Sequence, residues 1–184
     1  MTISFRPLGR ADFPTLARWQ ASPHVAQWWR EPADLATITA KYTPNVDGRD
    51  PTEVFVIQVD GSAVGIIQRY LIADYPDWAA AIGFGDAAGI DYYLGEGELT
   101  GKGIGSRAIA RFAGETLARY PQVPLVVAAP QQDNLASWRA LEKAGFERLW
   151  AGQPDSDDPS DAGPAYVYGL RRPEGSSSPA VSRA

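Results

Sequence analysis

The stretch that decides the fold is glycine-rich and runs Leu99-Thr100-Gly101-Lys102-Gly103-Ile104-Gly105-Ser106. Residues 90–94 before it predict a β-strand, and apolar residues recur at helical spacing after it. Closely spaced glycines let backbone N–H groups converge without Cβ atoms in the way, and a helix N-terminus adds about half a positive charge. The pattern therefore predicts a cradle for a pyrophosphate, with a plain helix-entry turn as the structural alternative.

Two common nucleotide-binding patterns do not fit this turn. A P-loop ends in Gly-Lys followed by Ser or Thr, whereas another glycine follows Lys102 here. A dinucleotide-binding fold places its glycine turn after the first strand, and this turn comes after a predicted hairpin. Residues 54–59 and 63–70 predict the two strands of that hairpin, joined by the turn Asp60-Gly61.

The remaining periodicities predict the order strand, helices, hairpin, strand, helix, strand, helix and two strands. This order is typical of an α/β (α+β) domain with a mixed sheet flanked by helices. We expect Asp12 and Ser22 to cap the first two helices. We expect the third helix to stop at Thr43-Pro44-Asn45 and residues 75–78 to open an irregular link.

Composition places further bounds on the protein. The 184 residues suit one domain, expected over residues 1–172, with a low-complexity, disordered tail over residues 173–184. A net charge of −5 argues against nucleic-acid binding. With no cysteine, no apolar run near the roughly 20 residues of a membrane span and no secretory signal, we expect a cytoplasmic protein that does not bind a membrane. The sequence leaves open whether it is a monomer or a homodimer.

A second motif makes the interpretation specific. Residues 133–138 read Asp-Asn-Leu-Ala-Ser-Trp, and residues 141–146 read Leu-Glu-Lys-Ala-Gly-Phe. Asn134 is expected to cap a helix. A glycine turn, a following strand, an Asn-capped helix and a Lys-Ala-Gly-Phe ending together resemble the acetyl-coenzyme A core of the GNAT superfamily. The resemblance implies the GNAT acyltransferase fold, whose mixed, mostly antiparallel central sheet is flanked by helices.

The same resemblance implies acetyl-coenzyme A as co-substrate and no metal. In that family the glycine turn holds the pyrophosphate, the strand before it pairs with the pantetheine arm, and the Asn helps to fix the cofactor. Thr100 departs from the usual Arg or Gln, which removes one donor and leaves the backbone cradle. When the family pattern is carried over residue by residue, it implies that the cofactor-binding residues are Leu94, Lys102, Gly103, Gly105 and Asn134.

Other segments are similar to the aminoglycoside 6′-N-acetyltransferases, from about residue 12 to residue 170 and in the same order. The most distinctive are Trp28-Trp29 and the Gly-Ile-Asp of residues 89–91, and residues 65–70 are a further matching segment. This likeness implies acetyl transfer to the 6′-amine of an aminoglycoside, a small-molecule cationic acceptor, and a role in antibiotic resistance.

A polycationic sugar needs carboxylates for its ammonium groups and aromatic faces for its rings. Of the two adjacent tryptophans, Trp28 is expected in the core and Trp29 in the site. His24, the only histidine, is expected to have a local structural role, and the acidic run 155–158 to be a solvated loop, with attraction of cations as its alternative. The predicted acceptor-binding residues are Trp29, Tyr42, Gln68, Tyr70, Asp77, Trp78 and Asp161.

Asp91 is the predicted catalytic residue, because it lies on the strand just before the glycine turn. On the resemblance it accepts the proton of the attacking amine, directly or through water; its alternative role is to satisfy backbone donors. Since no cysteine is present, a Cys-linked acetyl-enzyme is excluded, and direct transfer in a ternary complex is the simple hypothesis.

Two departures and three alternatives accompany this interpretation. Ala129-Pro130 stands where the resembling enzymes carry Asp-Pro, and Leu141 stands where many GNAT enzymes place the Tyr that protonates the departing thiolate.

The nearest alternative is an N-acyltransferase of a siderophore precursor or another small amine, although those relatives tend to carry a His at the position of Asp91. A catalytically inactive coenzyme A sensor and a protein acetyltransferase are the other two.

Overall fold

One seven-stranded mixed sheet organises the protein in the computed structural model, which describes residues 1–173. Its strands are β1 (Ile3–Pro7), β2 (Glu53–Val59), β3 (Ser62–Leu71), β4 (Ala88–Leu94), β5 (Leu125–Ala128), β6 (Glu147–Gly152) and β7 (Ala165–Arg171). They lie in the order β1-β2-β3-β4-β5-β7-β6. Only β4 and β5 pair in parallel, and the other neighbours are antiparallel. The predicted mixed, mostly antiparallel sheet is confirmed.

Helices cover both faces of this sheet. They are α1 (Phe13–Gln20), α2 (Pro23–Trp29), α3 (Leu35–Val46), α4 (Pro76–Ile82), α5 (Ile104–Arg119) and α6 (Leu135–Lys143). The first three share a hydrophobic cluster with one face of β2 to β4, and α4 contributes Ile82 to a cluster with β5 and β7. Helices α5 and α6 belong to the cluster on the opposite face.

The alternation of side chains along the strands builds both clusters. Neighbouring residues of a strand point to opposite faces, so Ile66 packs with α1 to α3 while Ile67 packs with α5; both are fully buried. Phe112 of α5 is also fully buried and meets the rings of Phe5 and Phe55 edge-on, at 5.0 and 5.4 Å between centroids. The sheet therefore has a hydrophobic layer on each side.

The predicted hairpin and its turn are confirmed. Asp60 and Gly61 have φ angles of 48° and 84°, so both adopt the left-handed conformation that a two-residue type I′ turn requires. The Asp60 carboxylate also accepts a 2.7 Å hydrogen bond from the backbone N–H of Thr2. The turn thus connects β2 to β3 and ties down the start of β1.

The predicted end of the third helix was wrong, because α3 continues through Pro44 to Val46. Proline removes one helical hydrogen bond, but the carbonyl of Pro44 accepts from the backbone N–H groups of Arg49 and Asp50. Buried Ile38 and Tyr42 hold the helix on the sheet. Tertiary packing therefore offsets the local cost of the proline.

The expected irregular link at residues 75–78 was also wrong, because α4 begins at Pro76. Proline suits the first turn of a helix, where its missing N–H would have no partner. The helix ends at Gly83, whose φ of 76° is the left-handed conformation of a C-terminal glycine.

Asp12 and Ser22 occupy the predicted positions before α1 and α2, but neither side chain caps its helix. The Asp12 carboxylate accepts two 2.7 Å hydrogen bonds from Arg6 and one from the Gly9 N–H. Hydrogen bonds from Arg6 hold the pKa of Asp12 below its ordinary value. The carboxylate pairs with the nearby guanidinium instead of the helix end.

The pairing between β4 and β5 is short, and this opens the sheet. It covers Ala88 opposite Val126 and Gly89 opposite Val127, after which β4 continues to Leu94 paired with β3 alone. One side of β4 is therefore left without a partner strand over its last residues.

Arg172, near the end of the described residues, is still bonded to the domain. The Arg172 guanidinium donates to the carbonyls of Leu117, Tyr120 and Val123. Residues 174–184 of the predicted tail lie outside the described residues. No helix within residues 1–173 combines the length and hydropathy needed to cross a bilayer.

Two glycine substitutions test the packing of β3 against β4. A Cβ at Gly65 would lie 2.2 Å from the Tyr93 carbonyl oxygen, whereas one at Gly114, exposed on α5, would meet nothing within 4 Å. We expect Gly65→Ala to lower the free energy of unfolding by about 2–4 kcal/mol through overpacking. Gly114→Ala should raise it by about 0.5–1 kcal/mol, since alanine favours a helix. Urea titrations of both variants measure the difference, and equal effects would contradict the packing.

Candidate active site

A cavity of about 640 Å³ opens where β4 and β5 part. Ile90 of β4 and Ala128 of β5 both line it, which places the cavity at the gap in the sheet. Its volume is in the range of small-molecule sites. Nine residues predicted from the sequence line it together: Trp29, Tyr42, Gln68, Tyr70, Asp77, Trp78, Asp91, Asn134 and Asp161.

Asp91 lies opposite Gln68 in the pairing of β4 with β3. The Gln68 side-chain amide donates to Asp91 Oδ2 at 2.9 Å. Burial raises the pKa of Asp91, and hydrogen bonds from Gln68 and Tyr70 partly oppose that rise. A carboxylate with a raised pKa in a cavity wall is suited to accept a proton.

Tyr70 is positioned by a glycine on the neighbouring strand. Tyr70 pairs with Gly89, and a Cβ at Gly89 would lie 2.5 Å from the Tyr70 ring. The ring also meets Tyr75 edge-on, with centroids 5.3 Å apart. Burial and the charge of Asp91 raise the pKa of Tyr70 well above its usual value, so its hydroxyl stays neutral and can donate to the carboxylate. The Gly-Ile-Asp triplet thus supplies both the carboxylate and the space for Tyr70.

Trp29 and Tyr42 form an aromatic wall that is continuous with the core. The Trp29 ring meets Tyr93 edge-on at 5.0 Å between centroids. Tyr42 is 1% exposed, and its hydroxyl accepts a 3.0 Å hydrogen bond from Gln20. The Nε1 atom of Trp29 is buried and has no hydrogen-bond partner among the described residues.

The expectation that Trp28 belongs to the core was wrong, because it lies half-buried in the cavity wall. Helix α2 is only seven residues long and ends at Arg30, whose φ of 54° is left-handed. Both tryptophans therefore lie in its last turn, at the edge of the cavity. Their offset of about 100° around the helix directs Trp29, the second of the pair, toward Tyr93.

Carboxylates dominate the cavity wall. Burial raises the pKa of Asp161 to about 6, with the charges of Asp158 and Asp91 acting in the same direction and a hydrogen bond from Ser156 opposing it. Several of these carboxylates belong to no sequence motif, so sequence reasoning did not find them. Those missed are Glu31, Asp50 and Asp74, while Asp158 lies in the acidic run that was expected to be a solvated loop.

The acidic loop, residues 153–164, is tied to α2 by Arg30. The Arg30 guanidinium donates to the Ala162 carbonyl and to the Gln131 side chain, both at 2.9 Å. Gln131 in turn donates to the Ser160 carbonyl. These bonds hold the loop over the cavity, where Ser156, Asp158, Ser160 and Asp161 line the wall. Only part of the run 155–158 is therefore a solvated loop.

The glycine turn combines left-handed glycines with backbone amides that have no partner among the described residues. Gly101 and Gly103 have φ angles of 74° and 76°, and a Cβ at either position would meet nothing within 4 Å. No backbone N–H of residues 101–106 donates a hydrogen bond to another of the described residues. These unpaired amides lie at the start of the 16-residue helix α5, a position that favours a bound anion. The cradle lies outside the 640 Å³ cavity, as do Leu94, Lys102 and Gly105.

Asn134 begins α6 as predicted, because its Oδ1 accepts a 3.2 Å hydrogen bond from the Ser137 N–H. The Tyr92 hydroxyl lies 2.9 Å from Ser137 Oγ, next to Asn134 in the cavity wall. Leu141, one turn further along α6, is fully buried and has no proton to donate.

His24 has a structural position. Its Nε2 lies 3.0 Å from the carbonyl oxygen of Leu94, and its ring lies against Gly97. It therefore holds the turn that follows β4, in agreement with its predicted local role. Within residues 1–173, no cluster of three or more His, Cys, Asp or Glu side chains could hold a metal ion.

Comparison with known proteins agrees with this geometry. The family model described as an acetyltransferase (GNAT) domain matches residues 9–152. The chain belongs to the GNAT acetyltransferase family. The fold and the family that the glycine turn and the Asn-capped helix indicated are confirmed.

Members of this family with known activities and structures are similar over most of the chain. Aminoglycoside N(6′)-acetyltransferase type 1 of Klebsiella pneumoniae is 28% identical over 152 residues, covering 80% of this chain and 75% of the relative. The crystal structure of aminoglycoside acetyltransferase AAC(6′)-Ib with coenzyme A and kanamycin superposes with a TM-score of 0.75 at 26% identity, over 93% of this chain and 95% of the other. A structure of the same enzyme with coenzyme A alone gives a TM-score of 0.76 at 25% identity, with the same coverage.

The raised pKa of Asp161 predicts a pH-dependent stability. Its folded-state pKa of about 6 exceeds the ordinary 3.8, so the folded protein holds this proton more tightly than the unfolded chain. Stability is therefore lost as the pH rises from about 4 through about 6, and this group causes no further loss once both states are deprotonated. We expect Asp161→Asn to raise the free energy of unfolding by about 1–3 kcal/mol at pH 8 and much less near pH 4.

Urea titrations across this pH range measure the difference between Asp161→Asn and the wild type. Asp157→Asn, an exposed change in the same loop, is the matched control. A stabilisation by Asp161→Asn that does not vary with pH would contradict the raised pKa.

Proposed function

We propose that the protein transfers an acetyl group from acetyl-coenzyme A to the 6′-amine of an aminoglycoside, by direct attack in a ternary complex. The observation that carries the proposal is the position of Asp91. The Asp91 carboxyl has a raised pKa and lines an acidic, aromatic cavity at the point where the sheet opens.

The donor is proposed from two independent features of the chain. The amides of residues 101–106 have no partner within the described part of the chain and surround left-handed glycines, which suits a diphosphate. The last residues of β4 lack a partner strand on one side, which suits an extended amide-containing arm such as pantetheine. When bound, acetyl-coenzyme A supplies a thioester carbonyl that is open to attack by an amine.

The acceptor is proposed from the chemistry of the cavity. Its carboxylates offer ion pairs to several ammonium groups, and Trp29 and Trp78 offer faces to sugar rings. Asp77 lies in the first turn of α4, and Asp161 lies in the loop held by Arg30. The two carboxylates therefore come from elements far apart in the chain.

The catalytic role proposed for Asp91 is to take the proton that the amine loses as it attacks. Gln68 holds Oδ2 through a 2.9 Å hydrogen bond, and the neutral Tyr70 hydroxyl lies near the same carboxylate, so the group is oriented before the acceptor binds. The transfer forms an N–C bond to the acetyl carbon and breaks the C–S bond, and the proton of the amine passes to Asp91 directly or through water. The coenzyme A thiolate takes up a proton from solvent as it leaves, and Asp91 returns its proton to solvent.

The proposal predicts acetyl transfer to acceptors with a free 6′-amine. With acetyl-coenzyme A, kanamycin should release thiol and form a singly acetylated product, which mass spectrometry and NMR would locate at the 6′-nitrogen. Kanamycin already acetylated at the 6′-nitrogen should give only the blank rate, because its amide nitrogen is not nucleophilic. Turnover of a polyamine such as spermidine, with none for any aminoglycoside, would overturn the acceptor assignment and leave acetyl transfer standing.

The proposal also predicts a large effect of Asp91→Asn. The amide keeps a contact with Gln68 but cannot take up a proton, so kcat should fall by about 10²–10⁴. Steady-state thiol release measures the rate, and calorimetry with coenzyme A should give an unchanged Kd. Asp86→Asn, an exposed change outside the cavity, is the matched control. Wild-type turnover by Asp91→Asn would remove this carboxylate from the mechanism.

A further inference from the structure

A lysine side chain lies inside the acidic cavity. Lys41 of α3 lines the wall, and among the lining residues that the structure describes it is the only one that carries a positive charge. Its Nζ lies 5.7 Å from the centroid of the Trp29 ring and 5.5 Å from that of Tyr42. The same Nζ forms an ion pair with the Glu31 carboxylate.

This environment is one that binds an ammonium group well. Two aromatic faces and a carboxylate converge on the Nζ atom, and each attracts a cation. Glu31 keeps only 18% of its side chain exposed and Lys41 keeps 39%, so solvent screens the pair only partly. An ammonium group of a ligand would find the same partners if Lys41 did not occupy them.

We propose that Lys41 determines which acceptors the enzyme acetylates, an inference that rests on the proposed function. Its ammonium fills the subsite formed by Trp29, Tyr42 and Glu31, and it repels any further ammonium that an acceptor would bring there. The chain therefore favours an amino sugar that brings no ammonium group to this subsite.

The wall also carries carboxylates that Lys41 does not neutralise. Asp77, Asp158 and Asp161 line the cavity without a lysine or arginine salt-bridge partner among the described residues. These carboxylates remain available to ammonium groups of the acceptor, while Glu31 is neutralised by Lys41. The cavity therefore holds carboxylates that are open to ligand ammonium groups together with one, Glu31, that the cation of the protein already pairs.

The test compares two acceptors that differ in charge. One is 6-amino-6-deoxyglucose, which carries a single amine, and the other is kanamycin, which carries several. We expect Lys41→Gln to raise the ratio of kcat/KM for kanamycin over the monoamine by about tenfold or more, mainly through a lower KM for kanamycin. Lys41→Arg, which keeps the charge, should leave the ratio near its wild-type value.

A double variant identifies the subsite as the cause. In Lys41→Gln the Glu31 carboxylate is free to bind the acceptor, so adding Glu31→Gln should abolish the gain. Arg49→Gln removes an exposed charge outside the cavity and should leave the ratio unchanged. A ratio within twofold of wild type in Lys41→Gln, or an equal change in Lys41→Arg, would overturn the inference. Melting temperatures confirm that each variant is folded.

Failure of this inference is distinguishable from failure of the proposed function. Turnover of kanamycin by the wild type tests the proposed function, whereas the ratio across the variants tests Lys41. If the wild type acetylates neither acceptor, calorimetry of kanamycin binding to the wild type and to Lys41→Gln takes the place of the rates. An unchanged Kd would then overturn the role of Lys41 as well.

Discussion

The structure depends on one interruption of backbone pairing, the parting of β4 from β5 after two residue pairs. A sheet edge inside a domain leaves N–H and C=O groups that need partners. Here that edge faces the cavity, so a ligand with amide groups can supply them. Pairing of β4 with β3 on its other side keeps the strand in place and sets Gln68 beside Asp91. The gap and the catalytic candidate therefore arise from the same strand.

The charge distribution of the cavity opposes stability and supports binding. Collecting carboxylates in a partly buried space raises the pKa of Asp91 and of Asp161, since burial and mutual repulsion both disfavour their charged forms. A cationic ligand reverses that penalty. Lys41 neutralises Glu31 within the protein itself, so Glu31 is less open to an ammonium group of a ligand than the carboxylates without such a partner.

Local signals in the sequence were sufficient for the fold and for the glycine turn. Alternating apolar residues predicted the strands, the Asp60-Gly61 turn predicted the hairpin, and Asn134 predicted the start of α6, because each of these depends on neighbours within a few residues. Predictions that rested on a single residue were less reliable. Pro44 did not end α3, and Pro76 began a helix, because packing of the helix against the sheet outweighs a local preference.

By itself the sequence determined the order of the strands and of every helix but α4, the glycine turn and the candidate carboxylate on β4, because these are properties of contiguous segments. Only the tertiary structure decided what surrounds that carboxylate. Glu31, Lys41 and Asp158 are far apart in the chain, and no spacing relates them. They meet because α2, α3 and the acidic loop close over one gap in the sheet. The side chains that select an acceptor are therefore set by packing, which contiguous patterns do not encode.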